Sequence, residues 1–366
     1  MNNVMIIYIV LFFAVLAGID KVFGNKYGLG KKFDEGFMAM GNLALGIIGI
    51  YCIAPVIAKW LMFLISPLFE FLEIDPSIFI GSLLACDMGG YSSAIKLAHT
   101  KEMGLFSGLV IGSMLGCTIV YTIPVAIGII KKEDQIFFTK GILAGIITIP
   151  LGALVSGIVA KMNPILVLKN LIPIVVFSAF LAIGLIKKPE KTMKSFYCFN
   201  KVIVLLGTVG LVAGILRKLT GIDIIHGMEP FEEGLKIVGN IAVFLAGAYP
   251  MMYVITNVFT KPLTAIGKKI GIGENSVAGL IVSLANNIPT FVMFKDMDNR
   301  GKVLCSAFAV SGAFSFGGQI GFVASVQSTM VTPVIIGKLV SGITAIIFAY
   351  FLTVGEDIKS SNCVTT

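Results

Sequence analysis

"FDEGFMAMGNLALGIIGIY" (residues 33–51) returns without a gap as "FEEGLKIVGNIAVFLAGAY" (residues 231–249). Phe33, Glu35, Gly36, Gly41, Asn42, Ala44, Gly49 and Tyr51 match Phe231, Glu233, Gly234, Gly239, Asn240, Ala242, Gly247 and Tyr249. Farther along, "LVSGI" occurs at 154–158 and again at 339–343. Between these anchors "LLACDMGG", around Asp87, falls opposite "SLANNIPT", around Asn287. A set of matches in the same order signals an internal duplication, a device common in secondary transporters. The expected organisation is a first membrane repeat at 1–160, a linking span and loop at 161–195, a second repeat at 196–352 and a cytoplasmic tail at 353–366.

The material being duplicated is lipid-soluble. Of 366 residues 57% are hydrophobic and 13% charged, about half the charge of a soluble domain. The mean hydropathy is +0.96. Apolar blocks at about 4–19, 37–58, 77–98, 103–130, 136–160, 165–186, 196–216, 235–259, 276–294, 303–327 and 330–352 approach or exceed the roughly 20 residues that cross a bilayer as helix. The fold class is an all-α, multi-pass membrane protein. "LMFLISPLFEFL" (61–72), which carries Glu70, is too short to span and is expected to be interfacial or a half-helix. The N-terminus lacks a basic flank and a cleavage site and reads as a first span rather than a signal peptide.

The net charge of +8 fits lysines gathered in cytoplasmic loops. No basic run interleaved with aromatics suggests nucleic acid. Six scattered cysteines (Cys52, Cys86, Cys117, Cys198, Cys305 and Cys363) read as small core residues rather than disulfides or metal ligands. Zinc-protease, nucleophile-elbow and phosphate-loop motifs are absent, and the only histidines are His99 and His226. These features disfavour an enzyme and imply no cofactor.

Charge also sorts the topology. If every apolar block spans, the loop lysines and arginines divide 14 against 11 between the two sides, which decides nothing. If 77–98 and 276–294 instead dip in and return, the division becomes 18 against 7. The positive-inside rule favours the second arrangement: nine full spans, an outside N-terminus, a cytoplasmic C-terminus and inverted repeats. The two dipping segments then enter from opposite sides.

Both dipping segments carry helix-breaking residues: Gly89 and Gly90 in the first, Pro289 in the second. Irregular backbone at membrane depth survives only where protein or a water-filled cavity satisfies it. Asp87 is the one acid inside the apolar blocks that is far from any predicted end, and an ionisable group there is by default a functional-site candidate. The plainer reading is a protonated carboxyl bonded to Ser92 or Ser93. Asn286, Asn287 and Thr290 at the second break are further candidates for a polar site. So are Asn42, Asn240 and Gln319, although a buried Asn or Gln also serves simply to join helices. Tyr91 and Phe291 offer aromatic faces to a cation. The acidic pairs Asp34/Glu35 and Glu232/Glu233 read as helix caps.

"GNKYGLGKKFDEGFMAMGNLALGIIGI", "SLLACDMGGYSSAIKLA", "FLAGAYPMM", "SLANNIPTFVMFKDMDNRGKVLCSAFAVS" and "IIGKLVSGITAI" resemble, in order and over nearly the whole chain, the ethanolamine-utilisation permease family, EutH. The resemblance implies a bacterial cytoplasmic-membrane protein that imports ethanolamine by alternating access, among membrane lipids and with a homo-oligomer left open. The resemblance leads us to expect a more polar, charged pair where this chain has Gly318-Gln319. A small organic cation needs a counter-charge, expected from Asp87. It also needs acceptors, expected from Asn286, Asn287 and freed carbonyls, and a hydroxyl partner such as Ser92 or Thr290. The alternatives are a transporter of another small amine or polar solute, a membrane sensor, or an intramembrane enzyme.

Overall fold

A computed structural model describes residues 5–71 and 74–362, with side chains outside 61–62, 64–71 and 354–362. The described chain is helical, with no strand. Its elements are α1 (Met5–Val22), α2 (Leu29–Phe71), α3 (Ser77–Leu83), α4 (Tyr91–Leu97), α5 (Lys101–Ile129), α6 (Gln135–Val159), α7 (Pro164–Lys187), α8 (Pro189–Thr220), α9 (Phe231–Lys269), α10 (Glu274–Ser283), α11 (Asn287–Val292), α12 (Asn299–Ser311), α13 (Gly318–Val326) and α14 (Val331–Asn362). Eight helices among the described residues are long and apolar enough to cross a membrane: α1, α2, α5 to α9 and α14. Residues 61–71, expected as a separate interfacial piece, simply continue α2.

Both expected breaks exist. α3 ends at Leu84, whose backbone is extended, and α4 begins after Gly89 at φ +86°. α10 ends near Leu284, and Asn286 is extended before α11. Each broken segment returns to where it started. Asp75, just ahead of α3, accepts hydrogen bonds from the N–H of Ser77 (3.0 Å) and of His99 (3.0 Å), beyond the end of α4. In the second segment Asp298 lies beyond α11, yet it accepts from Gly273 N–H (2.7 Å) and Ser276 Oγ (2.6 Å) at the start of α10, and from Gly301 N–H (2.7 Å). Partial burial of Asp298 alone raises its pKa. The Ser276 hydroxyl and the Gly273 and Gly301 amides outweigh this and hold the carboxylate below its ordinary range.

A third break lies in the block 303–327, which was expected to be one continuous span. The chain leaves helix after α12, turns through Phe314 at φ +57°, and resumes at α13. Phe314 and Phe316 donate their backbone N–H groups to the carbonyls of Ser283 and Leu284 (both 2.9 Å). The third break thus satisfies the second. Two interrupted segments answer each other's backbone needs where lipid could not.

The matched glycines make reciprocal contacts. A Cβ on Gly36 of α2 would lie 2.6 Å from Ala246 N on α9, and one on Gly234 of α9 would lie 3.1 Å from Ile48 of α2. Because Gly36 matches Gly234 and Ile48 matches Ala246, α2 and α9 cross antiparallel about a local two-fold relation. α6 and α14 behave alike. Thr148 Oγ1 donates to Ser341 O (3.1 Å) and Ser156 Oγ to Pro333 O (3.0 Å). A Cβ on Gly152 would sit 2.4 Å from Gly337 O, and one on Gly337 would sit 2.5 Å from Gly152 O. Small residues let these backbones touch, which is how helices associate in lipid.

Candidate functional site

The three breaks converge on one cavity of about 340 Å³. α2 contributes Asn42, Leu43 and Ile47, and the first break Ala85, Asp87 and Met88. α5 contributes Cys117 and Tyr121, and α9 Leu245 and Tyr249. The second break supplies Asn286 and Ile288, and the third Phe314, Gly318 and Gln319. Its volume lies in the range of small-molecule sites, mostly apolar with a few convergent polar groups.

Local sequence explains how Asp87 arrives there. Gly89 adopts the left-handed conformation that β-carbons disfavour, turning the chain immediately after the aspartate. Gly90 is ordinary helix, but a Cβ on it would lie 2.6 Å from the carbonyls of both Leu84 and Ala85. The first break then rests on a glycine row of α5, where Phe106–Gly116 is wound as π-helix. Cβ atoms on Gly108, Gly112 and Gly116 would lie 2.8 Å from Tyr91 Cα, 3.2 Å from Cys86 N and 2.1 Å from Leu84 O. Asp87 itself is half-buried, and among the described residues no other residue donates a hydrogen bond to its carboxylate. It lines the cavity, with the buried Lys338 ammonium near enough to act on it electrostatically but hydrogen-bonded to other groups.

Four of the residues singled out from sequence meet at this cavity: Asp87, Asn42, Asn286 and Gln319. Asn286 also caps α11, accepting from Ile288 N–H (2.9 Å). The other candidates lie elsewhere. Tyr91 packs edge-on against Phe322, with ring centroids 5.9 Å apart, and Ser92 is buried outside the lining. Thr290 donates to Gly279 O (2.9 Å), clamping α11 to α10. Asn287 turns inward, donating to Ala309 O (3.3 Å) and Thr122 Oγ1 (3.4 Å). Asn240 is exposed and does not mirror Asn42 at the site. Pro289, expected at the break, instead stands in the first turn of α11, where its missing N–H has no helical partner to lose.

Tyr121, Tyr249, Cys117 and Phe314 escaped the sequence reading, as did Lys338 behind the cavity wall. Tyr249 was visible within the repeat match. Lys338 sat in an apolar block, the same signal that marked Asp87. Tyr121 and Phe314, whose rings meet edge-on at 5.5 Å, are ordinary aromatics in sequence. Of the cysteines, Cys52, Cys86, Cys117 and Cys305 are buried and Cys198 is exposed; Cys363 lies outside the described residues. Among the described residues no cluster of three or more His, Cys, Asp or Glu side chains is placed to hold a metal ion.

Residues 1–352 match the family described as "Ethanolamine utilisation protein, EutH". The chain belongs to the EutH family. A relative from Listeria monocytogenes, named "Probable ethanolamine permease EutH", is 50% identical, covering 96% of this chain and 94% of the relative. An Escherichia coli protein of the same name is 41% identical over 97% of this chain and 96% of its own length. "Uncharacterized protein YxeR" of Bacillus subtilis is 42% identical over 99% and 98%. No solved structure matches this EutH chain. The break residues, Asp87 and the cavity all lie within the region matched to EutH.

Proposed function

We propose that this protein is a permease that admits ethanolamine across a bacterial cytoplasmic membrane, with Asp87 as counter-ion to the protonated amine. The observation that carries this reading is the position of Asp87: the one charged group lining a mostly apolar cavity, with no hydrogen bond from another described residue, reached only because three helices break around it. Membership of EutH and the names of the relatives support ethanolamine as the substrate. Its amine is mostly protonated at neutral pH, since alkylamines titrate well above 7. In proteoliposomes preloaded with unlabelled ethanolamine, labelled ethanolamine should accumulate by counterflow and an unrelated polar solute such as glycerol should not compete. Absence of counterflow with an intact, reconstituted protein would overturn the reading.

The membrane arrangement we infer has nine crossings, with α12 and α13 together making one of them, and two segments that enter from opposite sides. Supporting it, the chain path puts each ion pair between segments of the same side: Lys96 with Glu229 (2.6 Å) and Lys302 with Asp134 (2.6 Å). The antiparallel pairing of α2 with α9 and of α6 with α14 fits repeats of inverted orientation. Movement of one group of helices against the other around the cavity would supply alternating access. Single cysteines replacing Lys191 and Lys268, in a background without native cysteines, should react only from the cytoplasm, and one replacing Lys101 only from outside. Labelling of Lys101 and Lys268 positions from the same face would rule this arrangement out.

A further inference from the structure

Lys338 is 1% exposed, on α14 in the interior of the bundle. Its Nζ donates to the carbonyl of Ser113 (2.7 Å), in the π-wound part of α5, and to Gln319 Oε1 (3.1 Å). Gln319 lines the cavity and Lys338 does not. An ammonium carries only donors, so the amide oxygen of Gln319 must face it. The amide NH2 is thereby turned the other way, with the Cys117 sulfur of the cavity wall, a weak acceptor, within reach of one of its two hydrogens. The cavity's charged group, Asp87, offers only acceptors. The wall therefore presents an acceptor at one place and an oriented donor at another.

We propose that Lys338 is a positioning residue that fixes Gln319 with its NH2 toward the cavity, and that Gln319 thereby selects 2-hydroxyalkylammonium ions over plain alkylammonium ions. The inference rests on the reading of the cavity as an ammonium site and adds how that site reads the rest of the molecule. In ethanolammonium the amine end has three donors and no acceptor. The hydroxyl oxygen is the molecule's one acceptor, so the Gln319 donor has a use only when the hydroxyl is present. An ammonium lacking the hydroxyl leaves that amide with no acceptor from the ligand and only the weak Cys117 sulfur, the situation by which sites built around a hydrogen bond reject analogues. The hydroxyl contact thus falls to Gln319 rather than to Ser92 or Thr290, both of which lie outside the lining.

The test is competition in proteoliposomes: inhibition of labelled ethanolamine uptake by unlabelled ethanolamine and by ethylamine, expressed as the ratio of half-inhibitory concentrations. The wild type should favour ethanolamine at least tenfold. Gln319→Glu keeps the shape and can pair with Lys338, but as a carboxylate it offers no donor, and its ratio should fall to within about threefold of unity. Lys338→Met should lose the preference to the same degree, because the amide is then free to rotate. Lys338→Arg, still donor-only, should restore most of it. A wild-type ratio in Gln319→Glu would overturn the role of Gln319, and this variant does not depend on Lys338→Met folding. Preference kept in Lys338→Met, or lost equally in Lys338→Arg, would overturn the positioning role. A wild-type protein inhibited by neither amine would fail the ammonium-site reading itself, a result distinguishable from lost selectivity.

Discussion

Asp87→Asn lowers saturable ethanolamine uptake at least tenfold at neutral and acid pH. The substitution preserves size and hydrogen-bonding capacity but removes the charge from a cavity whose remaining lining is neutral. Charges in such surroundings interact far more strongly than in water. Tenfold corresponds to about 1.4 kcal/mol, a modest share of what a close pair in a partly dry site supplies. Asp87→Glu should keep partial activity, since the charge remains and only its reach changes. At alkaline pH, neutral amine crosses lipid unaided, so mutant and wild type should converge there. Normal uptake by Asp87→Asn at acid pH, with unchanged apparent affinity, would show that the carboxylate is not the counter-ion.

Gly116→Ala should reduce uptake at least as severely, although the residue never touches the cavity. Its new Cβ would lie 2.1 Å from the Leu84 carbonyl and 2.6 Å from that of Gly81. Both are backbone atoms, unable to step aside as a side-chain end would. The first broken segment must move off α5, carrying Asp87 with it, and overpacking of this kind costs about 1–3 kcal/mol or more. Gly128→Ala is the matched control. It lies in the same span with open space around it, and Ala is the better helix former, so uptake should stay within about twofold. Equal behaviour of the two variants in expression-matched membranes would mean that the glycine row does not set the position of Asp87.

The segmentation of the chain was legible because lipid imposes a strict length and polarity rule on every crossing. The apolar blocks reappear as helices with shifted ends, and the two segments marked by Asp87-Met88-Gly89-Gly90 and Asn286-Asn287-Ile288-Pro289 do break. Breaks announce themselves when they carry a charge or a proline inside a greasy run; glycines alone also serve close helix packing. The third break gave weaker notice. "SGAFSFGGQ" (311–319) carries no charge and no proline, and its backbone bonds are satisfied by Ser283 and Leu284, just over thirty residues before their partners Phe314 and Phe316. Phe314 is held in a left-handed conformation there, one that a bulky residue adopts only when its surroundings enforce it.

Within the site, sequence alone distinguished Asp87, because a carboxylate deep in an apolar segment has few bland explanations. Neutral polar residues carried no such weight: Asn42 and Asn240 align in sequence, yet one lines the cavity and the other lies on the exposed surface. Thr290 and Asn287 turned out to hold segments together. Composition and periodicity determined that this chain is a bundle of membrane helices with an acid at a break, since those follow from local hydrophobicity, length and backbone chemistry. Which side chains share the cavity, and which way the Gln319 amide points, was decided only by tertiary structure. Those depend on close helix approaches at glycines and on a hydrogen bond from Lys338, nineteen residues away in sequence, and no local pattern encodes either.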